Sequence, residues 1–301
     1  MPDSLVPAAV LWQEAFLQRH QLSSDYLLAA HDVFAPLAMR LCQQRQQVKD
    51  MPLVVGINGC QGSGKSTLVD YLACVLRERH QLNSVCLSLD DFYLGYEARQ
   101  QLAQTVHPLL ATRGVPGTHD IPLMNDVLNC LRQGRALGLP RFDKASDDRL
   151  PLSHWPQVSG AVDVVLFEGW CLGLKAQTAT QLDRPVNTLE AEEDGDGCWR
   201  HWVNDVLRRD FPAVHALVDY WLMLCSPAFS CVQRWRQEQE DKLRQRLGPM
   251  ALARTMDAAA LSRFLQHYQR LTEWSLVSLP DEVDECFMLD ENRRVCCLRL
   301  R

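Results

Sequence analysis

Apolar residues along the chain recur in two spacings that predict strands alternating with helices. Short runs rich in Val, Leu and Ile are typical of strands buried on both faces of a parallel sheet. Segments in which apolar residues return every three or four positions are typical of amphipathic helices. The predicted strands are residues 53–57, 83–89, 161–170, 217–224, 285–289 and 295–300, and the predicted helical segments are 5–48, 68–76, 123–131, 199–207, 229–242 and 261–277.

Composition narrows the class of protein. The 301 residues are 47% hydrophobic, enough to bury the core of a large α/β domain. A net charge of -6 and a pI of about 5.8 argue against binding nucleic acid, which needs a basic face. We see no apolar run of membrane length and no signal-peptide pattern, and several of the twelve cysteines lie within apolar runs. We therefore expect reduced cysteines in a cytoplasmic protein that binds no membrane.

The segment from Gly59 reads G-x-x-x-x-G-K-S, which predicts a phosphate-binding loop between the strand at 53–57 and the next helix. Glycines let successive N–H groups point inward, and the helix N-terminus adds its dipole. Lysine can reach the β- and γ-phosphates, and the serine hydroxyl can ligate Mg²⁺. The predicted nucleotide-binding residues are Gly59, Cys60, Gln61, Gly62, Ser63, Gly64, Lys65, Ser66 and Thr67.

Carboxylates follow two of the predicted strands. Asp90 and Asp91 end the second strand, where a carboxylate faces the ligand crevice of a parallel sheet and can orient an acceptor hydroxyl. Adjacent Asp residues are equally common as turn or cap signals, so both interpretations stay open. Glu168 ends the third strand in the manner of a Walker B acid, which orders Mg²⁺ and its waters.

The loop at 112–120 combines Arg113, His119 and Asp120 with Gly and Pro. Such a loop is either a holder of a small anionic, hydroxylated substrate or an ordinary surface turn. The segment at 140–144 is also basic and irregular.

The helix at 229–242 carries Arg234 and Arg236, which cannot both face the same way on a regular helix. It is either a lid whose arginine neutralises the transferring phosphoryl group or a solvated charged helix. The acidic run at 189–197 lacks the ligand spacing of an EF-hand, and we interpret it as a solvated helix entry.

Cys60 lies inside the phosphate loop, near Lys65 and a helix N-terminus, where a thiolate is favoured. We therefore hypothesise that its oxidation or alkylation blocks nucleotide binding.

Together these segments resemble the plant-type glycerate 3-kinase family, within the phosphoribulokinase and uridine kinase superfamily. The likeness covers nearly everything after residue 50, and R-G-x-P-G-T-H-D and E-G-W are its narrowest elements. The matching segments are 59–67, 87–94, 113–114 with 116–120, 140–144, 167–170 with 172–173, 187, 189–194, 235–240 and 267–272.

The resemblance implies a mostly parallel sheet with helices on both faces and a mobile lid around 227–247. It implies a kinase domain at 51–301 behind an N-terminal helical appendage at 1–50. By the same likeness Asp90 is the base, while contacts of the cationic residues with glycerate are inferred from charge. The predicted site residues are, for catalysis, Asp90, Lys65 and Arg236; for the substrate, Asp90, Tyr93, Arg113, His119, Asp120, Arg141 and Lys144; and for the metal, Ser66, Asp91 and Glu168.

The sequence therefore predicts an ATP- and Mg²⁺-dependent kinase of a small molecule, with D-glycerate as the expected acceptor and 3-phosphoglycerate as product. One alternative is a kinase of another hydroxylated metabolite, such as pantothenate or a nucleoside. Another is a non-enzymatic regulator that binds ATP. A GTPase is disfavoured because no N-K-x-D motif occurs. The oligomeric state is left open.

Overall fold

The predicted strands assemble into one six-stranded sheet in the computed structural model, which describes residues 8–48, 50–247 and 256–301. The strands are β1 (Leu53–Gly59), β2 (Ser84–Ser88), β3 (Leu137–Gly138), β4 (Phe142–Asp143), β5 (Asp148–Arg149), β6 (Gln157–Val158), β7 (Val164–Gly169), β8 (Tyr220–Cys225), β9 (Glu285–Leu289) and β10 (Val295–Leu300). The helices are α1 (Ala8–His20), α2 (Ser24–Gln47), α3 (Lys65–His80), α4 (Tyr96–Thr105), α5 (Ile121–Arg132), α6 (Ala179–Leu182), α7 (Thr188–Glu193), α8 (Cys198–Arg209), α9 (Phe211–His215), α10 (Phe229–Leu247) and α11 (Ala258–Ser278), with 3-10 turns at Leu89–Phe92, Pro108–Ala111 and Leu152–His154.

The order across the sheet is β10-β9-β8-β1-β7-β2, and every neighbouring pair is parallel except β9 and β10. The predicted α/β class and mostly parallel sheet are therefore confirmed. Strand β1, which leads into the phosphate loop, lies in the middle between β7 and β8. Two small antiparallel pairs, β3 with β6 and β4 with β5, form a separate hairpin region that the apolar pattern did not predict.

Helices cover both faces of the sheet because successive strand residues point to opposite sides. In β1, Val55 and Ile57 enter a core shared with α1, α2, α3 and α10, while Val54 enters a core shared with α5, α8, α9 and α11. All seven residues of β1 are buried. This explains why the strand reads as a continuous apolar run rather than as an alternating one.

Helix α2 is anchored to β9, the strand next to the β10 edge of the sheet. Arg40 of α2 donates to both carboxylate oxygens of Glu285 in β9, at 2.6 Å each, and the Tyr220 hydroxyl donates to the same carboxylate at 2.8 Å. The Glu285 side chain is fully buried, so its charge depends on these partners. The division into an appendage at 1–50 and a kinase domain at 51–301 stays a prediction, since α2 shares a core with the sheet.

The acidic run at 189–197 is only partly the solvated segment that we expected: Glu192, Glu193 and Asp196 are exposed, but two other acids are buried. Glu190 is fully buried against Arg270, with Oε1 2.7 Å from Nε and Oε2 2.6 Å from Nη2. Asp194 is also buried and pairs with Arg200 at 2.9 Å. Because both arginines come from other helices, the sequence around the acids gave no sign of this burial.

Among the residues that the structure describes, no helix is long and apolar enough to cross a membrane.

Candidate active site

The phosphate loop occupies the turn between the end of β1 at Gly59 and the start of α3 at Lys65. Gly62 and Gly64 adopt φ values of 79° and 96°, the left-handed region that glycine enters without strain. Gly64 is the N-cap of α3 and supplies no side-chain cap, so N–H groups of the first turn are left for an anion. A Cβ atom on Gly64 would meet nothing within 4 Å, so the loop borders open space.

Polar side chains of the loop are buried without a partner among the described residues. The amide of Gln61 and the hydroxyl of Ser63 are in this state. The Lys65 ammonium donates to the Cys60 carbonyl at 3.1 Å and lies 3.9 Å from Glu168 Oε2. Unpaired donors, a lysine and a helix N-terminus together fit the phosphates of a nucleotide.

Ser66 and Glu168 form the oxygen-rich part of the site. The register places Glu168 beside Ile57 of β1 and Ser88 of β2. Its Oε1 accepts hydrogen bonds from Ser66 Oγ at 2.9 Å and Ser88 Oγ at 3.1 Å. A hydroxyl beside a carboxylate at the carboxyl end of the sheet fits Mg²⁺, which takes few protein oxygens and several from phosphates and water.

Asp90 lies just beyond β2, where its carboxylate is held by two partners. Tyr93 donates its hydroxyl to Oδ1 at 2.8 Å, and Lys144 donates to Oδ2 at 2.6 Å. Burial alone would raise the pKa of Asp90, but Lys144 and the Tyr93 hydroxyl lower it to about 2. The turn itself is capped by Ser88, whose Oγ accepts from the Asp90 N–H. The Asp90 side chain is therefore not the cap of this turn.

One cavity of about 680 Å³ joins the phosphate loop to Asp90. On the loop side it is lined by Gln61, Gly62, Lys65, Ser66 and Glu168, and on the other side by Asp90, Tyr93, Arg113, Lys144 and Arg236. Sequence reasoning did not assign Asp147, Trp170, Phe264 and Tyr268, which also line it. Trp170 and Tyr268 do fall in the segments that carry the family resemblance.

Arg234 and Arg236 of α10 face different directions, as helical spacing predicts. Arg236 lines the cavity, where Nη2 donates to Glu240 at 2.8 Å and Nη1 to Gln239 at 2.6 Å. Arg234 instead pairs with Glu291 at 3.0 Å and is exposed. Arg236 is therefore the arginine of this pair that faces the cavity.

Two predicted substrate residues lie behind the cavity wall. His119 is buried and stacks on the Tyr93 ring with centroids 4.6 Å apart, and burial lowers its pKa to about 4, so it is neutral at pH 7. Asp120 caps α5 by accepting from the Leu123 N–H at 3.1 Å, and it pairs with Arg149 at 3.0 Å. Both residues support elements of the site rather than line it.

Arg141 and Asp91 pair with each other at 3.0 Å, and Asp91 also accepts from the Phe142 N–H at 3.2 Å. They line an adjoining cavity of about 390 Å³ that shares Ser66, Asp90, Lys144 and Glu168 with the main one. The roles proposed for them in binding substrate and metal stay predictions.

Cys60 and Thr67 are turned away from the main cavity. Burial raises the pKa of the Cys60 thiol, and the opposing influence of Lys65 is smaller. The expectation of a favoured thiolate is therefore wrong, because desolvation outweighs the nearby positive charge. Thr67 Oγ1 lies 3.4 Å from Nδ1 of His20, so it faces α1.

Comparison with known proteins finds similar kinases. A family model described as the phosphoribulokinase / uridine kinase family matches residues 54–187. An uncharacterized kinase of Schizosaccharomyces pombe is 29% identical over 281 residues, which are 88% of this chain and 98% of that protein.

Two of the similar proteins are named D-glycerate 3-kinase. The chloroplastic D-glycerate 3-kinase of Arabidopsis thaliana is 34% identical over 64% of this chain, which spans only 42% of that relative. A solved structure of D-glycerate 3-kinase from Cryptococcus neoformans superposes with a TM-score of 0.74 at 25% identity, covering 89% of this chain and 98% of the other. In sequence and fold the chain is therefore similar to the D-glycerate 3-kinase-like P-loop kinases of the phosphoribulokinase and uridine kinase family.

Proposed function

We propose that the protein transfers the γ-phosphoryl group of ATP to D-glycerate and forms 3-phosphoglycerate. The observation that carries this proposal is a single cavity in which phosphate-binding groups and an ionised carboxylate face a cluster of cations. The relatives named D-glycerate 3-kinase support the choice of acceptor. A small hydroxylated anion suits a cavity with Asp90 for its hydroxyl and Arg113 for its carboxylate.

At the phosphate end, the loop N–H groups and Lys65 would bind the phosphates, and Ser66 with Glu168 would hold Mg²⁺. When bound, Mg-ATP supplies the phosphoryl group and the counter-charge that the transfer needs. Arg236 lines the cavity from α10, where its guanidinium would offset charge that develops during transfer. Catalysis in this family of reactions is mainly positioning and neutralisation of charge.

At the acceptor end, Asp90 would accept a hydrogen bond from the hydroxyl group and take its proton as transfer proceeds. Tyr93 holds one oxygen of Asp90, while Lys144 on the other oxygen has an exposed side chain and can move aside. Replacement of Lys144 by the acceptor hydroxyl would raise the pKa of Asp90 and make it a better base. Arg113 offers the planar fork that matches a carboxylate.

The test is ADP release by the purified protein with Mg-ATP and a panel of acceptors: D-glycerate, L-glycerate, pantothenate and uridine. We expect strong turnover with D-glycerate, and phosphorus NMR of the product should place the phosphate on the 3-hydroxyl. Turnover with pantothenate or uridine instead would replace the proposed acceptor. If no acceptor of the panel gave turnover while ATP still bound tightly, an ATP-binding regulator would be favoured.

A further inference from the structure

The backbone at Arg113 is held by hydrogen bonds from Tyr268 of α11 and from Trp170, which follows β7. The Tyr268 hydroxyl of α11 donates to the Arg113 carbonyl at 3.0 Å, and the Trp170 indole N–H donates to the Gly114 carbonyl at 3.1 Å. Gly114 has a φ of 145°, and a Cβ atom there would overlap the Tyr268 ring. These contacts therefore restrict the backbone conformation at Arg113 and Gly114.

The side chain of Arg113 is fixed from the opposite side, by the hairpin of β4 and β5. Asp147, in the turn of that hairpin, accepts from Arg113 Nη1 through Oδ1. Its other oxygen, Oδ2, accepts from Arg99 Nη2 at 2.6 Å, and its backbone carbonyl accepts from the same nitrogen at 2.9 Å. Asp147 is thus a bridge between two guanidinium groups.

Arg99 accounts for the position of Asp147 in this bridge. Its side chain is fully buried, and it also donates to the carbonyls of Leu94 and Ala111. A desolvated guanidinium needs a counter-ion, and among the described residues Asp147 is the carboxylate that pairs with it. Asp147 cannot swing away without leaving that charge uncompensated.

The rest of the hairpin reinforces the arrangement. The guanidinium carbons of Arg99 and Arg113 each lie 5.6 Å from the centroid of the Phe142 ring. Asp147 itself has a φ of 55°, a left-handed conformation that costs energy for most side chains and is tolerated by Asp and Asn. Local strain that is held by surrounding contacts is typical of functional positions.

We propose that Asp147 is a positioning residue that fixes the guanidinium of Arg113 for the carboxylate of the acceptor, and so determines the preference for carboxylate-bearing acceptors. This inference rests on the proposed function. Asp147 engages Nη1, and a guanidinium carries further N–H donors on Nη2 and Nε with which to bind a second carboxylate. A fork held in place loses less freedom on binding than one that must be ordered by the substrate.

The test compares Asp147→Asn with Asp148→Asn, a charge removal at the next residue. Asn keeps the left-handed turn, and at 148 its oxygen can still accept from the Tyr96 N–H. For Asp147→Asn we expect the KM for D-glycerate to rise roughly 10- to 100-fold, the range for loss of a hydrogen bond to a charged group, while kcat and the KM for ATP change by less than about 3-fold. Asp148→Asn should leave all three near wild type.

Two further measurements separate positioning from a general structural defect. Glycerol, an acceptor without a carboxylate, should lose little kcat/KM in Asp147→Asn. In an Arg113→Ala background, Asp147→Asn should have little additional effect, since the residue acts through Arg113. Asp147→Gly relieves the left-handed backbone, so it gives the same test in a chain without that strain.

The proposal would be overturned if the KM for D-glycerate were unchanged or lower in Asp147→Asn. A lower KM would mean that the Asp147 carboxylate occupies the place of the substrate carboxylate and has to be displaced by it. An undiminished effect in the Arg113→Ala background would overturn it as well.

A labelling experiment distinguishes this proposal from the proposed function. Phenylglyoxal modifies accessible arginines, and mass spectrometry of peptides reports the rate at Arg113 without any substrate. We expect the rate to rise several-fold in Asp147→Asn, in line with loss of an ordered charge pair. Faster labelling in a protein that does not phosphorylate D-glycerate would overturn the acceptor while supporting the positioning. Normal turnover with unchanged labelling would overturn the positioning.

Discussion

The two ends of the cavity are built in different ways. The phosphate end comes from one continuous segment, 59–67, where glycine conformations and a helix N-terminus would supply most of the phosphate contacts, and Glu168 is added from the adjacent strand. The acceptor end brings together side chains from distant segments, namely Asp90, Arg113 and Lys144. A site made of backbone leaves a short motif in the sequence, whereas a site made of distant side chains does not. The phosphate end should therefore serve any acceptor equally, and the acceptor end should discriminate.

The largest effect is expected at the phosphate end. Lys65→Met removes the ammonium that lies between the loop and Glu168, so kcat should fall by about 10²- to 10³-fold, as when one preorganised donor is lost. Steady-state kinetics should show the same factor for D-glycerate and for any weaker acceptor. Lys175→Met is the matched control, since Lys175 is exposed and pairs with Glu282. If kcat fell for one acceptor only, the phosphate end would not serve all acceptors equally, which would contradict the comparison.

Asp90→Asn should have the next largest effect. The amide cannot accept the proton of the hydroxyl, so kcat should fall by roughly 10²-fold, within the range for a general base. ATP affinity, measured by calorimetry, should remain near wild type because the loop is untouched. Asp126→Asn, on the exposed face of α5, is the control. Near-normal turnover of Asp90→Asn would remove Asp90 from this role.

Arg113→Lys should sharpen the comparison by changing the acceptor end alone. Lysine keeps the positive charge but loses the planar fork, so the KM for D-glycerate should rise about 10-fold, equivalent to one charge-assisted hydrogen bond. The KM for ATP should stay constant in the same assays, and Arg209→Lys, at an exposed position paired with Asp210, should change neither value. A parallel rise in both constants would mean that the two ends are not independent.

The smallest effect concerns stability and pH. The folded pKa of Asp90, about 2, lies below its ordinary value of 3.8, so its pairing stabilises the protein above about pH 4 and is lost as the pH falls towards 2. Lys144→Met should lower the free energy of unfolding at pH 6 by about 1 kcal/mol or less, because Lys144 is exposed and the pair is screened. Urea denaturation at pH 6 and pH 3 should show the difference shrinking at pH 3. An equal difference at both pH values would contradict this origin.

The fold was largely predictable because strands that are buried on both faces appear in the sequence as continuous apolar runs. The predicted strands at 285–289 and 295–300 match β9 and β10. The two-residue strands β3 to β6 were not predicted, since elements so short have no periodicity. The same limit hid the hairpin that carries Asp147.

The acceptor end was predictable only in part, and the reason is again distance along the chain. Asp90 and Arg113 stand in recognisable segments, but Arg99 and Asp147 acquire a role only when the fold brings them together. Glu190 was misjudged in the same way, because its partner Arg270 lies 80 residues away. His119 was placed in the substrate pocket for its chemistry, although the fold uses it behind Tyr93. Charge in a sequence does not reveal whether its partner is water, another side chain or a ligand.

The contact of Arg40 with Glu285 has a consequence for how the chain is made. These residues are separated by 245 positions, so α2 emerges from the ribosome long before the strand that carries its partner. Domains generally acquire structure from the N-terminus during synthesis, and contacts between such distant residues form late. Until β9 is synthesised, α2 can pack on α3 and β1, but Arg40 lacks its carboxylate partner. The ion pair between α2 and β9 is therefore expected to form late, after the core that α2 shares with α3 and β1.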